Sequence, residues 1–325
     1  MGFTFVAGGT GFVGRQFVAA ASEAGLELCV LTRDSETAAR FERRGIRAVV
    51  GDLLTSGAWQ TAAAQAETAV YAAGPPTWGR RLSRRSAHRY RDGMTAMTRS
   101  FFTSLNADRL ERVVYLAGAS YYGDTGGTPA TEEQAPRPKG TGPYIAPAID
   151  VARSFSERLP TVITLPGAVY GPGSWLSQLV LKPLHRGKAI YALNGHEPAI
   201  SVVHGEDCAG AHVHLLQHGT PGEAYFVADD EPMTLEAILH LAAELTGIPY
   251  RQRKLPRWLC QLAIGPILTD AATASCVVSN DKLKRSGFAL RYRSMKDGLG
   301  PVITEWRRLH DHAVEPVGGG TDEAR

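Results

Sequence analysis

Tyr144 is the residue whose type and surroundings most clearly suggest chemistry. It lies in the run GPYIAPA at 142–148, and Ala148 follows it one helical turn later. A phenol can exchange a proton with a substrate oxygen, but its ordinary pKa is about 10. Lowering that pKa to about 7 requires roughly 4 kcal/mol of preferential phenolate stabilisation, to which Ala148 contributes nothing. Because Pro147 lacks an N–H, the helix is predicted to start near Ala146 or Pro147, with Tyr144 in the loop before it. Tyr144 is either an acid that another group must activate or a packing residue.

Three further candidates lie just after a predicted strand at 112–116, namely Ser120, Tyr121 and Tyr122. The carboxyl ends of parallel strands are where open α/β sheets bind ligands. Ser120 or Tyr121 could therefore donate a hydrogen bond to a substrate oxygen. A loop or packing role is the alternative for each of them.

A substrate could be held by residues on either side of that position. The stretch 80–91 is rich in arginine and includes His88 and Arg91. These side chains could bind an anionic substrate group, or they could form a solvated helix face. Trp175 could cover a planar or apolar substrate, or it could lie in a core.

The start of the chain has the pattern strand, glycine turn, helix. An apolar strand at 3–7 runs into GGTGFVG at 8–14 and then into a helical stretch at 12–24. Glycines let the backbone approach a pyrophosphate, while the free N–H groups and the dipole of the helix favour negative charge. The residues predicted to bind a dinucleotide here are Gly8, Thr10, Gly11, Phe12, Val13 and Gly14.

Strands and helices alternate along the first half of the chain, which predicts a parallel sheet. Further strands are predicted at 26–32, 46–50, 68–72, 112–116 and 161–165, with helices at 35–44 and 86–106. The sheet is predicted to be complete at that point. Helices then follow near 206–217, 234–246 and 294–309. We predict a dinucleotide-binding domain at 1–166, a mainly substrate-binding lobe at 167–312 with elements returning to the first domain, and a disordered tail at 313–325.

Composition excludes several classes of protein. The 325 residues carry a formal net charge of +3, which gives no sign of a nucleic-acid or membrane partner. The four cysteines are widely spaced, which predicts reduced, buried thiols and no zinc site. His212, His214 and His218 are predicted to lie on a surface helix, so no metal is expected. Without an apolar run long enough to span a bilayer, the protein is expected to be cytoplasmic; its oligomeric state is left open.

The motifs, taken together, resemble the extended short-chain dehydrogenase/reductases, also called the NAD-dependent epimerase/dehydratase family. Besides the glycine turn, the resemblance rests on GDL at 51–53, AAG at 72–74, YYGD at 121–124, LPGAVYGPG at 165–173 and VVHGEDCA at 202–209. It implies a Rossmann-type doubly wound α/β parallel sheet with a smaller C-terminal substrate lobe. The cofactor contacts that it implies are Asp52, Leu53, Ala72, Ala73 and Gly74.

The choice of cofactor depends on the end of the second strand. An acidic residue there would bind the ribose 2′-hydroxyl of NAD, whereas an arginine accommodates the 2′-phosphate of NADP. Arg33 occupies this position, and the neighbouring Asp34 is the competing candidate, although Asp34 would also make a good helix N-cap. We expect NADP(H) rather than NAD(H).

The chain departs from the pattern of the family at the reaction site. In the family, a serine or threonine orients the substrate and a lysine activates the tyrosine; the matching positions here are Gly118 and Ala148. The resemblance favours an oxidoreductase acting on a small carbonyl or hydroxyl compound. The departures leave open a non-redox isomerase, lyase or cyclase, and also a non-catalytic dinucleotide-binding protein.

Overall fold

A computed structural model describes residues 2–75 and 81–311 of the chain. Its strands are β1 (Thr4–Ala7), β2 (Leu28–Thr32), β3 (Arg47–Val50), β4 (Thr68–Tyr71), β5 (Arg112–Leu116), β6 (Thr161–Pro166), β7 (Ala168–Tyr170), β8 (Ile190–Leu193), β9 (Ala199–Ile200), β10 (Val202–His204), β11 (Ala224–Val227), β12 (Met233–Thr234) and β13 (Gln252–Leu255). Its helices are α1 (Phe12–Glu23), α2 (Ser35–Glu42), α3 (Ala58–Ala64), α4 (Arg84–Thr103), α5 (Gly142–Ser154), α6 (Lys182–His185), α7 (Gly205–His218), α8 (Leu235–Thr246), α9 (Arg257–Ile264), α10 (Pro266–Ala271), α11 (Asp281–Arg285) and α12 (Met295–Asp311).

Seven of the strands within these ranges form one parallel sheet, in the order β11-β6-β5-β4-β1-β2-β3. The order reverses between β1 and β4, so their carboxyl ends open a crevice between Ala7 and Tyr71, which are register partners. This is the Rossmann-type doubly wound α/β fold that the sequence predicts.

Helices pack on both faces of the sheet. Successive side chains of a strand point to opposite faces, so each strand contributes to two separate layers of packing. On β1, Phe5 and Ala7 pack with residues of α3, α4 and α5, whereas Val6 packs on the opposite face with residues of α1 and α7. Tyr71 and Tyr115 stack on the first face with ring centroids 5.0 Å apart.

Smaller elements follow β6 and form a third cluster of buried side chains. Here β7 pairs with β10, β9 with β12, and β8 with β13. The cluster includes Tyr170, Leu176, Met233 and Trp306, which lie on or beside these elements and helix α12. Helix α7 returns to the main sheet and packs against α1.

Two predictions about these elements are wrong. The sheet is not complete after β6, since β11 pairs with it in parallel and adds the seventh strand. Helix α5 starts at Gly142, so Tyr144 lies in its first turn and not in the preceding loop. Pro143 takes an early position where a missing N–H costs nothing, and Pro147 forgoes only the bond to the Pro143 carbonyl.

Two expectations concern residues outside the described ranges. Arg80 and the expected tail at 313–325 belong to residues that the structure does not describe. No helix in the described part of the chain is long and apolar enough to cross a membrane.

Candidate functional site

The glycine turn after β1 packs closely against its own backbone and against the segment after β4. Gly8 adopts a left-handed φ of 89°, and a Cβ there would lie 2.5 Å from the backbone nitrogen of Ala73. A Cβ on Gly14 would collide with the Gly8 carbonyl. Gly11 caps helix α1 without a side-chain bond, and the first intrahelical bond runs from Arg15 N to the Gly11 oxygen.

The backbone N–H groups of Phe12, Val13 and Gly14 consequently have no acceptor within helix α1. Three N–H groups at a helix start, with a glycine N-cap and no side-chain cap, suit a pyrophosphate. The predicted turn residues therefore fit the phosphate part of a dinucleotide.

A cavity of about 320 Å³ adjoins this turn. It is lined by nine of the residues predicted to bind the cofactor: Gly8, Thr10, Gly11, Arg33, Asp52, Leu53, Ala72, Ala73 and Gly74. The segments that follow β1, β2, β3 and β4 meet here because these four strands end at the same edge of the sheet.

Arg33 and Asp34 have different environments. The Asp34 carboxylate accepts a hydrogen bond from Thr37 N at 2.7 Å, which caps helix α2. Hydrogen bonds from Thr37 hold the pKa of Asp34 below its ordinary value. Arg33 is exposed and lines the cavity, which Asp34 does not. A cation thus lies where the second strand meets the cavity.

A second cavity, of about 340 Å³, lies at the carboxyl ends of β5 and β6. Its lining is largely apolar and includes residues 116–119 after β5 and residues 166–169 after β6. Ser120, Lys139, Thr141 and Ser201 add polar groups to the wall. We refer to this space as the inner cavity.

Ser120 is the one predicted catalytic residue that the structure places on the inner cavity. The hydroxyl of Tyr122 donates to the Glu132 carbonyl at 2.8 Å, and the Arg153 guanidinium lies 5.3 Å from the Tyr121 ring centre. Burial raises the pKa of both phenols, which makes them weaker acids. Packing explains these two tyrosines.

Tyr144 does not line the inner cavity. Its ring packs against a small buried cluster that contains Leu82 and Ile267, and the edge of His88 meets it with ring centroids 5.5 Å apart. The structure therefore brings Tyr144 and His88 together, whereas Ser120 lines the inner cavity. The matching position for the family's lysine, Ala148, is fully buried.

The remaining substrate candidates line neither of these two cavities. Trp175 packs against the third cluster of buried side chains, which contains Tyr170 and Leu176. Its indole N–H has no hydrogen-bond partner among the described residues. Arg91 forms an ion pair with its neighbour Asp92 at 2.7 Å. At the position equivalent to the family's serine, a Cβ on Gly118 would have ordinary clearance, with the Ser120 hydroxyl 3.8 Å away.

The expectation of a surface helix is wrong for His212. This residue is buried on α7 and shares a 2.8 Å hydrogen bond with the Thr164 hydroxyl. Burial lowers its pKa to about 4, so the ring is neutral. No cluster of metal-ligating side chains occurs among the residues that the structure describes.

Sequence reasoning missed Lys139, Thr141 and Cys276 on the inner cavity. Cys276 is also only partly buried, against the expectation for all four cysteines. Burial raises the pKa of its thiol to about 11, so it is not a nucleophile at neutral pH. A signal for Lys139 was present, because it is the only lysine in the first 181 residues, where the other basic side chains of this type are arginines.

Comparison with known proteins gives the family. The sequence model of the NAD dependent epimerase/dehydratase family matches residues 4–228, which cover the glycine turn and all seven strands of the main sheet. The chain belongs to this family.

One curated protein that is similar to this chain is the 4-hydroxy-2-methyl-3-oxo-4-farnesyl-3,4-dihydroquinoline-1-oxide ketoreductase of Stigmatella aurantiaca. It is 23% identical over 262 residues, which cover 78% of this chain and 76% of the relative.

Solved structures of similar fold include dTDP-glucose 4,6-dehydratase DesIV from Streptomyces venezuelae, with NAD and TYD bound. It has a TM-score of 0.79 and 21% identity, and the match covers 97% of this chain and 99% of that one. MoeE5 in complex with UDP-glucuronic acid and NAD has a TM-score of 0.77 and 21% identity, over 95% of this chain and all of that one.

Proposed function

We propose that this protein is an NADP(H)-dependent oxidoreductase that interconverts a small carbonyl compound and its alcohol. The observation that carries the proposal is the arrangement of two neighbouring cavities along one edge of the sheet. One follows the glycine turn and includes Arg33, and the other is the largely apolar inner cavity with Ser120 on its wall.

The preference for NADP(H) rests on the contrast between Arg33 and Asp34. Asp34 accepts the hydrogen bond that caps α2 through one carboxylate oxygen and does not line the cavity. Arg33 is exposed on the cavity and can form charge-assisted hydrogen bonds to a 2′-phosphate. The bound nicotinamide would supply hydride chemistry, and the protein supplies its binding and orientation.

The carbonyl substrate is supported by the inner cavity and by one relative. Its apolar walls favour a compound with little charge, and its few polar groups can orient one oxygen atom. The curated relative from Stigmatella aurantiaca is a ketoreductase.

The experiment is to mix the protein with NADPH or NADH and follow nicotinamide absorbance against a panel of carbonyl compounds. Oxidation of NADPH in preference to NADH, with transfer of deuterium from labelled NADPH into the product, is the expected result. Product formed at full rate without a nicotinamide cofactor would contradict the redox assignment.

A non-redox isomerase, lyase or cyclase is the second candidate. It is favoured by Gly118 and Ala148, which leave the serine and lysine positions of the family without polar groups. Such an enzyme would give product without net change in the cofactor. Binding of the dinucleotide with no turnover of any compound would instead favour a non-catalytic role.

A further inference from the structure

Lys139 lies between the inner cavity and an open groove that it lines with Asp124. Among the described residues that line the inner cavity, Lys139 alone has an acidic or basic side chain of the Asp, Glu, Lys, Arg or His type. We propose that the Lys139 ammonium, held by Asp124, donates the proton to the oxygen of a carbonyl substrate in the inner cavity. The inference rests on the proposed function, and it assigns the task that a tyrosine and lysine perform in the family to a different residue.

The backbone around Lys139 is fixed on both sides. Arg137 N donates to the Tyr122 carbonyl at 3.0 Å, in a bridge that ties this loop to the segment after β5. Gly140 N donates to the Asp270 carboxylate of α10 at 3.1 Å. The Lys139 carbonyl accepts from Gly142 N at 3.0 Å, where α5 begins. Lys139 is thus placed by three separate elements, as a preorganised catalytic group requires.

The ammonium itself is also oriented. Its Nζ donates to Asp124 Oδ2 at 3.0 Å, and the other carboxylate oxygen accepts from Gly126 N at 3.1 Å. Burial opposes ionisation of Asp124, but the hydrogen bonds from Lys139 and Gly126 outweigh it and hold the pKa of this carboxyl below its ordinary value. An ammonium has three N–H bonds, so two remain for a substrate oxygen and for water.

The other groups near the inner cavity are poorly suited to the same task. Tyr144 packs against Leu82 and Ile267 and does not line the inner cavity, and the Tyr122 hydroxyl already donates to a carbonyl. The Cys276 thiol donates to the Ala119 carbonyl at 3.4 Å. Ser120 can hydrogen-bond a substrate oxygen, but a neutral alcohol is a far weaker acid than an ammonium.

The atoms and electrons balance for a reduction. The glycine turn and Arg33 would hold NADPH, which when bound would supply a hydride with its two electrons to the carbonyl carbon and become NADP⁺. The C=O π pair becomes a lone pair on oxygen, and an N–H bond of Lys139 breaks as the O–H bond of the alcohol forms. The neutral amine then takes a proton from water, which can reach Lys139 through the open groove that it also lines with Asp124 and Arg137. Asp124 stabilises the ammonium that is regenerated.

The same geometry indicates the class of substrate. One ammonium that is already paired with a carboxylate cannot neutralise a diphosphate, so a nucleotide sugar is a poor match for the inner cavity. A volume of about 340 Å³ with mostly apolar walls fits a small ketone or aldehyde with hydrocarbon substituents.

The test compares Lys139→Met, which removes the charge, with Lys139→Arg, which keeps the charge but does not release its proton. Lys188→Met, at an exposed turn, is the matched control. We expect kcat for ketone reduction to fall by about 100-fold or more in both Lys139 variants, the scale for loss of a general acid, with the Kd for NADPH within about twofold of wild type. The control should retain full activity.

A measurement without turnover completes the test. After reductive ¹³C-methylation of the lysines, the Lys139 signal, assigned by its loss in Lys139→Arg, should shift when an apolar ketone is added to the protein with NADP⁺. An unmoved signal overturns the inference. Wild-type turnover in Lys139→Met also overturns the inference but leaves the proposed function standing. Wild-type turnover in Lys139→Arg, with loss in Lys139→Met, overturns proton donation and shows that Lys139 acts only through its positive charge. If the wild-type protein does not oxidise NADPH when any carbonyl compound of the panel is added, the proposed function itself is refuted.

Discussion

Replacing Asp229 with asparagine should stabilise the protein at neutral and alkaline pH and have almost no effect near pH 4. Asp229 follows β11 with 3% of its surface exposed, and neither carboxylate oxygen has a hydrogen-bond partner among the described residues. Burial, with a smaller contribution from the charges of Asp207 and Asp230, raises its pKa to about 8, although the nearby Tyr170 hydroxyl and His204 N–H partly oppose the shift.

The sign follows from proton linkage. Between about pH 4 and about pH 8 the unfolded chain releases the proton of Asp229 while the folded protein keeps it, so the free energy of unfolding falls as pH rises. The rise of about four units in pKa, at about 1.4 kcal/mol per unit, sets an upper limit of roughly 5 to 6 kcal/mol. The amide must still be buried, which has its own cost, so we expect a gain of about 2 to 4 kcal/mol at about pH 8.

Urea unfolding of both proteins across this pH range measures the difference. The neighbouring Asp230→Asn is the matched control, because burial there is outweighed by hydrogen bonds from Asn280, Lys284 and Arg293 that lower the pKa of Asp230. A lowered pKa stabilises the fold above the unfolded pKa, so this variant should be destabilised at neutral pH and less so in acid. A stability difference for Asp229→Asn that does not change with pH would refute the electrostatic explanation.

Three further results are expected at the cofactor and substrate sites. Arg33→Ala should weaken NADPH binding by roughly 1.5 to 3 kcal/mol in titration calorimetry and leave NADH unchanged; equal losses for both would contradict the cofactor assignment. Gly11→Asp should abolish binding of both dinucleotides with no loss in Tm, because Gly11 has an ordinary φ of −71° and aspartate is a good N-cap. A large fall in Tm would show instead that the substitution disrupts the turn. Tyr144→Phe should keep kcat within about threefold of wild type, since the ring packs against Leu82 and Ile267 and does not line the inner cavity, and a 100-fold loss would return Tyr144 to the mechanism.

The sequence was sufficient for the fold and for one end of the site. The glycine spacing at 8–14, the strand after it and the apolar runs that follow are local signals, and the structure places the Gly8 turn, Arg33 and Asp52 on one cavity. Asp34 could be interpreted as an N-cap because capping involves residues only three positions apart. These predictions depend on short-range backbone geometry, which neighbouring residues determine.

Local signals failed where a distant contact decides the outcome. The four residues of β11 are too short a run to distinguish from a loop, and only pairing with β6 makes them a strand. In the sequence, nothing distinguishes His212 from the other histidines of α7. In the structure it is buried where α7 meets β6 and forms a hydrogen bond with Thr164. The prolines of α5 suggested a late helix start, yet one missing hydrogen bond at Pro147 was tolerated.

The amino-acid sequence by itself determined the Rossmann-type sheet, the glycine turn and the absence of a serine and a lysine at positions 118 and 148. Only the tertiary structure decided which side chains share the inner cavity. Its wall combines the ends of β5 and β6 with the loop of Lys139 and with residues of α10, which are far apart in the chain. Parallel strands bring such residues together at one edge, and whether a side chain such as Tyr144 points into that space or packs beside it depends on neighbours that no local pattern specifies.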